Sequence, residues 1–169
     1  MFSVGDYIVY GSNGVCQVTD IGPMKLPGMN SDRLYYTMTP CYIKGSSIST
    51  PVDNEKVVMR YVMTKEEADS LVSRLRDIAR LSIPEEKRRE QEYKTALLSC
   101  NPEAIVSVIK EIYERMQTRL AEGKKVTSAD AKYFHIAEES LYGELAISLG
   151  MEKDDVKPYI MEKMGMGEA

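Results

Sequence analysis

Few side chains in this sequence could carry out chemistry. It has one histidine, His135, and three cysteines, Cys16, Cys41 and Cys100, set far apart. No CxxC spacing occurs, so neither a zinc ribbon nor a redox dithiol is indicated. A single histidine excludes by count any catalytic system or metal site built on several. His135 has Ala131 four residues before it and Glu139 four after, and two ligands do not make a metal site. Gly11-Ser12-Asn13-Gly14 shares only its glycine content with a phosphate loop; the Lys and Ser/Thr that would hold phosphate and Mg²⁺ are missing, so it reads as a turn. The carboxylate pairs Glu66-Glu67, Glu85-Glu86, Glu138-Glu139 and Asp154-Asp155 fall on polar helical faces or at helix starts. Acids favour the macrodipole there, whereas acid–base catalysis needs two carboxyls in unlike environments. No Ser, Cys or Lys has a recognisable activating base. The expectation is a protein that binds rather than catalyses, with no catalytic residue, metal, cofactor or small-molecule substrate.

The basic side chains are better organised. Between Arg74 and Lys132 there are thirteen of them against ten acids, while residues 133–169 hold three against eight. Lys87-Arg88-Arg89 with Lys94 is the densest group. Lys124-Lys125 lies just before a predicted helix start, where lysine charge and free backbone N–H groups together suit a phosphate. Lys132 extends the set. Acids are interleaved at Glu85, Glu86, Glu90 and Glu92, as on a solubilising helix face laced with Glu–Lys pairs. Charge alone leaves both readings open.

These residues depend on two kinds of element to position them. The first part of the chain reads as short strands: Tyr7 to Tyr10, Val15 to Ile21, Leu34 to Thr39, Ser47 to Thr50 and Val57 to Met59, separated by Gly- and Pro-containing turns. Five short strands in about sixty residues suggest a small curled sheet or barrel. The second part is helical. Thr64-Lys65-Glu66-Glu67 is a capping box opening a helix with Ala68, Leu71, Val72 and Leu75 on one face. A charged helix follows from about Glu86 to Leu98. Asn101-Pro102 then supplies a cap and a proline at the first helical position, and Ile105, Val108, Ile109, Ile112, Met116 and Leu120 form a three-four stripe. Thr127 or Ser128 opens another helix, with Phe134, Ala137, Leu141, Leu145 and Ser148 on one side and Gly150 at its end. A short helix over roughly 152–164 precedes a Gly-rich tail, and the Met-rich end, Met161, Met164 and Met166, reads as a docking surface or a frayed tail, the tail being favoured.

Composition agrees with that division. The chain has 169 residues, is 43% hydrophobic and 28% charged, and has a formal net charge of −4. It can therefore bury a core, and its charge argues against a wholly electrostatic nucleic-acid binder. Residues 1–63 are charge-neutral and hold six of the eleven glycines and four of the seven prolines. We therefore expect an α+β protein with two architectures in series, a barrel at 1–63 and an all-α helical domain at 64–169. The N-terminus lacks a basic segment followed by an apolar stretch, and no run of about eighteen apolar residues occurs to span a bilayer. A reduced, soluble, cytoplasmic protein with no membrane partner is expected.

Phe2-Ser3-Val4-Gly5-Asp6-Tyr7-Ile8-Val9-Tyr10, followed by Gly14-Val15 and Val18-Thr19-Asp20-Ile21, resembles the opening of CarD-type (CdnL/TRCF-like) bacterial transcription regulators. The similarity continues through Tyr35-Tyr36, Ile48-Ser49-Thr50-Pro51-Val52 and Asn54, and in the helical part through Tyr93-Lys94, Val108 to Ile112 and Leu141-Tyr142-Gly143-Glu144-Leu145-Ala146. The resemblance implies a Tudor-like N-terminal barrel that docks on the β subunit of RNA polymerase. It also implies a helical domain that touches promoter DNA, weakly and without sequence specificity, near the upstream edge of the bubble and stabilises the open complex. The barrel would present an exposed strand edge, with Met24 and Leu26 on one strand or loop and Ser49 and Pro51 on another. Pro51 suits an edge, where its missing N–H costs no ladder bond. Ser49 occupies a position where some relatives carry a polymerase-contacting Arg.

The candidate nucleic-acid residues of that domain, taken from the charge clustering, are Lys87, Arg88, Arg89, Lys94, Lys124, Lys125 and Lys132. In many relatives a Trp enters the minor groove from the start of the second helix of that domain. Counting back from Tyr93, that position falls on Arg89, and the chain has no Trp. Arg can enter a narrow minor groove but cannot act as an apolar wedge. The favoured reading is a non-enzymatic, nucleoid-associated transcription regulator bridging polymerase and promoter. The alternative is a protein-interaction adaptor that binds polymerase or another partner without touching DNA.

Overall fold

The structure is a computed structural model that describes residues 1–24, 27–28 and 32–165. It divides into two compact units, Met1–Val62 and Met63–Ala169.

In the first unit, Ser3 to Asp6 make a tight turn: the Asp6 N–H donates to the Ser3 carbonyl at 3.0 Å and the Ser3 N–H to the Asp6 carboxylate at 2.8 Å. Gly5 sits in it at φ 95°. The turn feeds β1 (Tyr7–Tyr10), then β2 (Val15–Pro23), β3 (Leu34–Pro40), β4 (Ile48–Pro51) and β5 (Met59–Tyr61). The sheet is antiparallel in the order β4-β3-β2-β1-β5. The last strand lies two residues later than sequence reading placed it, and Val58 just before it accepts the Gly11 N–H at 2.9 Å. Among the described residues β4 and β5 are the two edges of the sheet, which does not close into the barrel that was one of the two expected forms. A register shift between Val18 and Asp20 leaves Thr19 as an extra residue opposite β3, and such bulges increase local twist.

Ile8, Cys16, Val18, Tyr36 and Met38 form the core of this unit. Phe2 closes it from outside the sheet, 5.7 Å from the Tyr36 ring and 4.9 Å from Tyr61 in an edge-on contact. Gly11 is required where it stands: its φ is 47°, and a Cβ there would come within 2.6 Å of Val57 Cγ1.

The second unit contains α1 (Lys65–Ser73), α2 (Arg89–Leu98), α3 (Pro102–Ala121), α4 (Ser128–Leu149) and α5 (Lys153–Lys163). The Thr64 capping box forms as predicted, with the Glu67 N–H on Thr64 Oγ1 and the Thr64 N–H on the Glu67 carboxylate. Asn101 caps α3 ahead of Pro102. Gly150, left-handed at φ 67°, ends α4, and the next N–H, from Met151, reaches back to the Ala146 carbonyl at 3.0 Å. Residues Glu86–Arg88 form a 3-10 turn, so the charged helix begins at Arg89 rather than Glu86.

One apolar core joins α1 to α5, with Leu71, Tyr93, Val108, Ile112, Ala137, Leu145 and Val156 among its buried members. On α4 the buried face runs through Asp130, Tyr133, Ala137, Leu141, Glu144 and Leu145. Sequence reading placed Phe134 there; Tyr133 is buried instead and Phe134 only partly. Apolar spacing alone does not reveal that shift, because it depends on polar groups that find partners inside. Among the described residues no helix is long and apolar enough to cross a membrane.

Candidate functional site

Two surfaces carry the residues singled out above, one in each unit. In the first, β4 pairs with β3 through Tyr35–Pro51, Tyr36–Thr50, Thr37–Ser49 and Met38–Ile48. Thr50 is buried, Ser49 exposed and Pro51 half-buried. The outer side of β4 is open among the described residues, and Pro51, lacking an N–H, ends the strand there. Beyond it, the Val52 N–H donates to the Leu34 carbonyl at 3.0 Å, and Arg33 pairs with Asp53 at 3.2 Å while lying over the Tyr35 ring. Met24 directly follows Pro23, which pairs with Leu34. Met24 and Pro51 therefore sit at the same end of the sheet with β3 between them. Leu26 lies outside the described residues. Leu34, 41% exposed between these two positions, was missed by sequence reading because it opens a strand whose other apolar residues are core.

In the second unit, Lys87, Arg88, Lys94, Lys124, Lys125 and Lys132 are all exposed. Lys94 and Lys132 come together around Tyr133: the Tyr133 hydroxyl donates to Glu90 Oε1 at 2.8 Å, Lys94 lies 3.7 Å from the same oxygen, and Lys132 Nζ sits 5.2 Å from the ring centroid. Lys124 pairs with Glu122 at 3.1 Å, and the Lys125 carbonyl accepts Arg119 Nε at 2.9 Å. At the α4 start behind them, Thr127 Oγ1 already takes the Asp130 N–H. Lys87 and Arg88 immediately precede α2, whose start no side chain caps.

Arg89 is placed differently. Its side chain is only 14% exposed and is committed to protein partners. Nε donates to Glu86 Oε2 at 2.9 Å and Nη1 to the Tyr93 hydroxyl at 2.9 Å, with Glu111 3.7 Å away. The Tyr93 hydroxyl donates in turn to Asp130 Oδ1 at 3.1 Å. Asp130 Oδ2 accepts Arg115 Nε at 2.8 Å, and Arg115 Nη1 returns to Glu86 Oε2 at 3.5 Å. Glu86, Arg89, Tyr93, Asp130 and Arg115 thus form a closed ring drawn from the 3-10 turn and three helices. Arg80 adds two contacts of 3.1 Å to Glu111 at its margin.

The charges within this ring set one another. The Arg89 guanidinium beside Glu86 holds that carboxyl below the usual range, with Arg115 adding to the effect. Glu86 in return raises the Arg89 pKa. Burial, above all, pushes the Tyr93 phenol up to about 12, so it stays protonated and can donate. Among the described residues no buried side-chain polar atom lacks a partner. Asp130, Arg115 and Glu111 entered no sequence-level site. Their one signal was a charged residue inside an otherwise apolar stripe, as with Glu111 between Val108 and Ile112. Among the described residues no group of three or more His, Cys, Asp or Glu side chains is placed to hold a metal ion.

Residues 2–62 match the model of the CarD-like/TRCF RID domain family. The first unit is a CarD-like/TRCF RID domain. An RID domain is an RNA polymerase-interacting domain of transcription regulation. In this RID domain the Ser3–Asp6 turn, the bulged β2 and the open β4 edge belong to the matched span, whereas the helical unit lies beyond it. The comparison with curated proteins gives no match.

Proposed function

We propose that the protein is a non-enzymatic transcription regulator that docks on the β subunit of RNA polymerase through its first unit and stabilises the promoter open complex with its helical unit. The observation that carries this reading is the RID match over 2–62, in a unit whose β4 edge is open beside Ser49 and Pro51. An extended segment of the partner can add to such an edge by main-chain hydrogen bonds, alongside Met24 and the exposed Leu34. The bulged sheet fits the Tudor-like barrel of the family.

The helical unit would contribute phosphate contacts. Lys87 and Arg88 stand exposed in the 3-10 turn that leads into α2, where their side-chain charge can meet phosphate. Lys94, Lys132, Lys124 and Lys125 lie on neighbouring stretches of α2, α4 and the α3–α4 connection. Arg89 is better suited to holding this surface together than to entering a groove, because its donors are engaged. Weak contacts suffice when polymerase docking raises their effective concentration, which reconciles DNA proximity with a net charge of −4. The regulator shifts the closed–open equilibrium only by its differential affinity for the open complex.

The test is capture of the β-subunit lobe of RNA polymerase by the full chain, with Ser49→Glu and Pro51→Asp as edge variants. Binding that both variants weaken supports docking at β4. No binding by the unsubstituted protein overturns the reading. Binding with a promoter-complex lifetime unaffected by the protein would leave an adaptor without DNA contact.

A further inference from the structure

Glu86 lies in the middle of the basic face, yet its carboxylate is the point where the five-residue ring closes. Its side chain is 66% exposed, so it contributes little to the core. Both of its oxygens are nevertheless engaged, by Arg89 from α2 and Arg115 from α3. The 3-10 turn that carries it also carries Lys87 and Arg88. That turn has no side-chain cap at its start, and two backbone bonds close it, the Arg88 N–H on the Glu85 carbonyl at 2.9 Å and the Arg89 N–H on the Glu86 carbonyl. The carboxylate of the other exposed acid of the segment, Glu85, makes a long contact of 3.6 Å to Arg88. Such surface pairs contribute little order.

We infer that Glu86 is a positioning residue for nucleic-acid contact: clamped between Arg89 and Arg115, it fixes the turn that presents Lys87 and Arg88 to phosphate. The inference rests on the proposed function for its ligand and on the ring alone for its geometry. Asp130 and Tyr93 act through it, by holding Arg115 and Arg89 in the positions that grip the carboxylate. The depressed Glu86 pKa agrees with a carboxylate kept charged by that grip.

This inference and simple charge counting predict opposite signs. Glu86→Gln makes the face more basic, so counting charges predicts stronger DNA contact. Positioning predicts weaker contact, because a neutral amide with one acceptor oxygen holds two guanidiniums less firmly than a carboxylate does, and the turn loosens. The charge-matched control is Glu85→Gln, one residue away and outside the ring.

The experiment combines two measurements on the full chain. Promoter-complex lifetime is followed against salt concentration, and hydrogen exchange of the 85–89 amides is followed in the free protein. Glu86→Gln is expected to lower the salt slope by about one, the size of a single phosphate contact, to shorten the lifetime about threefold at physiological salt, and to speed exchange at 85–89. Glu85→Gln should leave exchange unchanged and the lifetime equal or longer. Equal effects of the two variants, or unchanged exchange in Glu86→Gln, overturn the positioning role. If the unsubstituted protein has no effect on lifetime, the proposed function fails, and the exchange data alone decide whether Glu86 orders the turn.

Discussion

The Glu144 carboxylate accepts the backbone N–H of Met63 at 2.8 Å, in a buried hydrogen bond between residues 81 apart in sequence. Met63 is the residue before the Thr64 cap, and the Thr64 N–H goes to the Glu67 carboxylate. Two successive backbone donors at the entry to α1 are therefore each taken by a glutamate, one local and one brought by α4. Hence a charged residue lies in the Gly143-Glu144-Leu145-Ala146 stretch with only 3% of its surface exposed.

Replacing Glu144 should reveal that role. Glu144→Leu leaves the Met63 N–H without its partner and is expected to destabilise the helical unit by about 2 kcal/mol, in line with a hydrogen bond to a charged group. Glu144→Gln keeps an acceptor and should cost about half as much. Denaturant unfolding followed by helical circular dichroism measures both, and an equal loss in the two variants would show that the acceptor is not what matters.

Tyr93→Phe removes one hydroxyl from the ring, leaving Arg89 and Asp130 each one partner short. A loss of about 1–2 kcal/mol at neutral pH is expected. Burial raises the folded Tyr93 pKa from 10.0 to about 12. The folded state thus favours the neutral phenol, and that contribution is fully present below pH 10 and lost as pH rises from 10 towards 12. Unfolding midpoints across this interval should fall less steeply in Tyr93→Phe than in the parent. Parallel curves would refute the assignment.

Sequence patterns revealed elements whose signals are local. The Thr64 capping box, Asn101-Pro102 and Gly150 each mark a helix end by residues within four positions, and all three ends form. The clusters of Lys87, Lys94, Lys124, Lys125 and Lys132 were legible as charge runs, and all five side chains are exposed. What escaped was long-range. Whether Arg89 faces solvent or protein depends on Glu86, Tyr93 and Glu111, and their meeting depends on how α2 lies against α3. The same holds for Tyr133 against Phe134 on α4: both continue an apolar stripe, and the tyrosine finds the Glu90 carboxylate and the Tyr93 ring on α2. An edge at Pro51 was legible, but closure was not, because strand spacing specifies neighbours in sequence but not whether the last strand returns to pair with β4.

Gly11→Ala tests the tightest backbone position in the RID domain. At φ 47°, with Val57 Cγ1 2.6 Å from the new Cβ, the alanine meets both a left-handed backbone and a side chain that must shift. A loss of about 1–2 kcal/mol is expected from the backbone term alone, read as a lower thermal midpoint of the first unit. Gly22→Ala is the control, since its Cβ would meet nothing within 4 Å. Indistinguishable midpoints would rule out the steric account.

Cys16 should be a poor nucleophile in the folded chain. Burial, with Cys41 nearby, pushes its thiol up to about 11, so at pH 8 its thiolate fraction is on the order of one thousandth. Alkylation at pH 8 is expected to be slow in the native protein and rapid in denaturant, with the rate rising as pH approaches 11. Native labelling of Cys16 at the rate of a free cysteine would contradict its placement between β1 and β3.

Arg89 and its neighbours Lys87 and Arg88 should separate cleanly by measurement. Lys87→Ala with Arg88→Ala removes two exposed cations and leaves the ring intact, so stability should stay within about 0.5 kcal/mol. The slope of log promoter-complex lifetime against log salt should fall by up to about two, one for each phosphate that is no longer neutralised. Arg89→Ala is the mirror image. Its side chain is nearly buried and grips Glu86, Tyr93 and Glu111, so removing it should cost about 2 kcal/mol of stability. Its direct effect on the salt slope should be small, because every phosphate keeps its cation; what change occurs should track the loosening of 85–89. If Arg89→Ala instead keeps full stability and lowers the slope by one, the guanidinium has left the ring to meet DNA. The position would then serve as a groove-facing contact rather than a post beneath the basic turn.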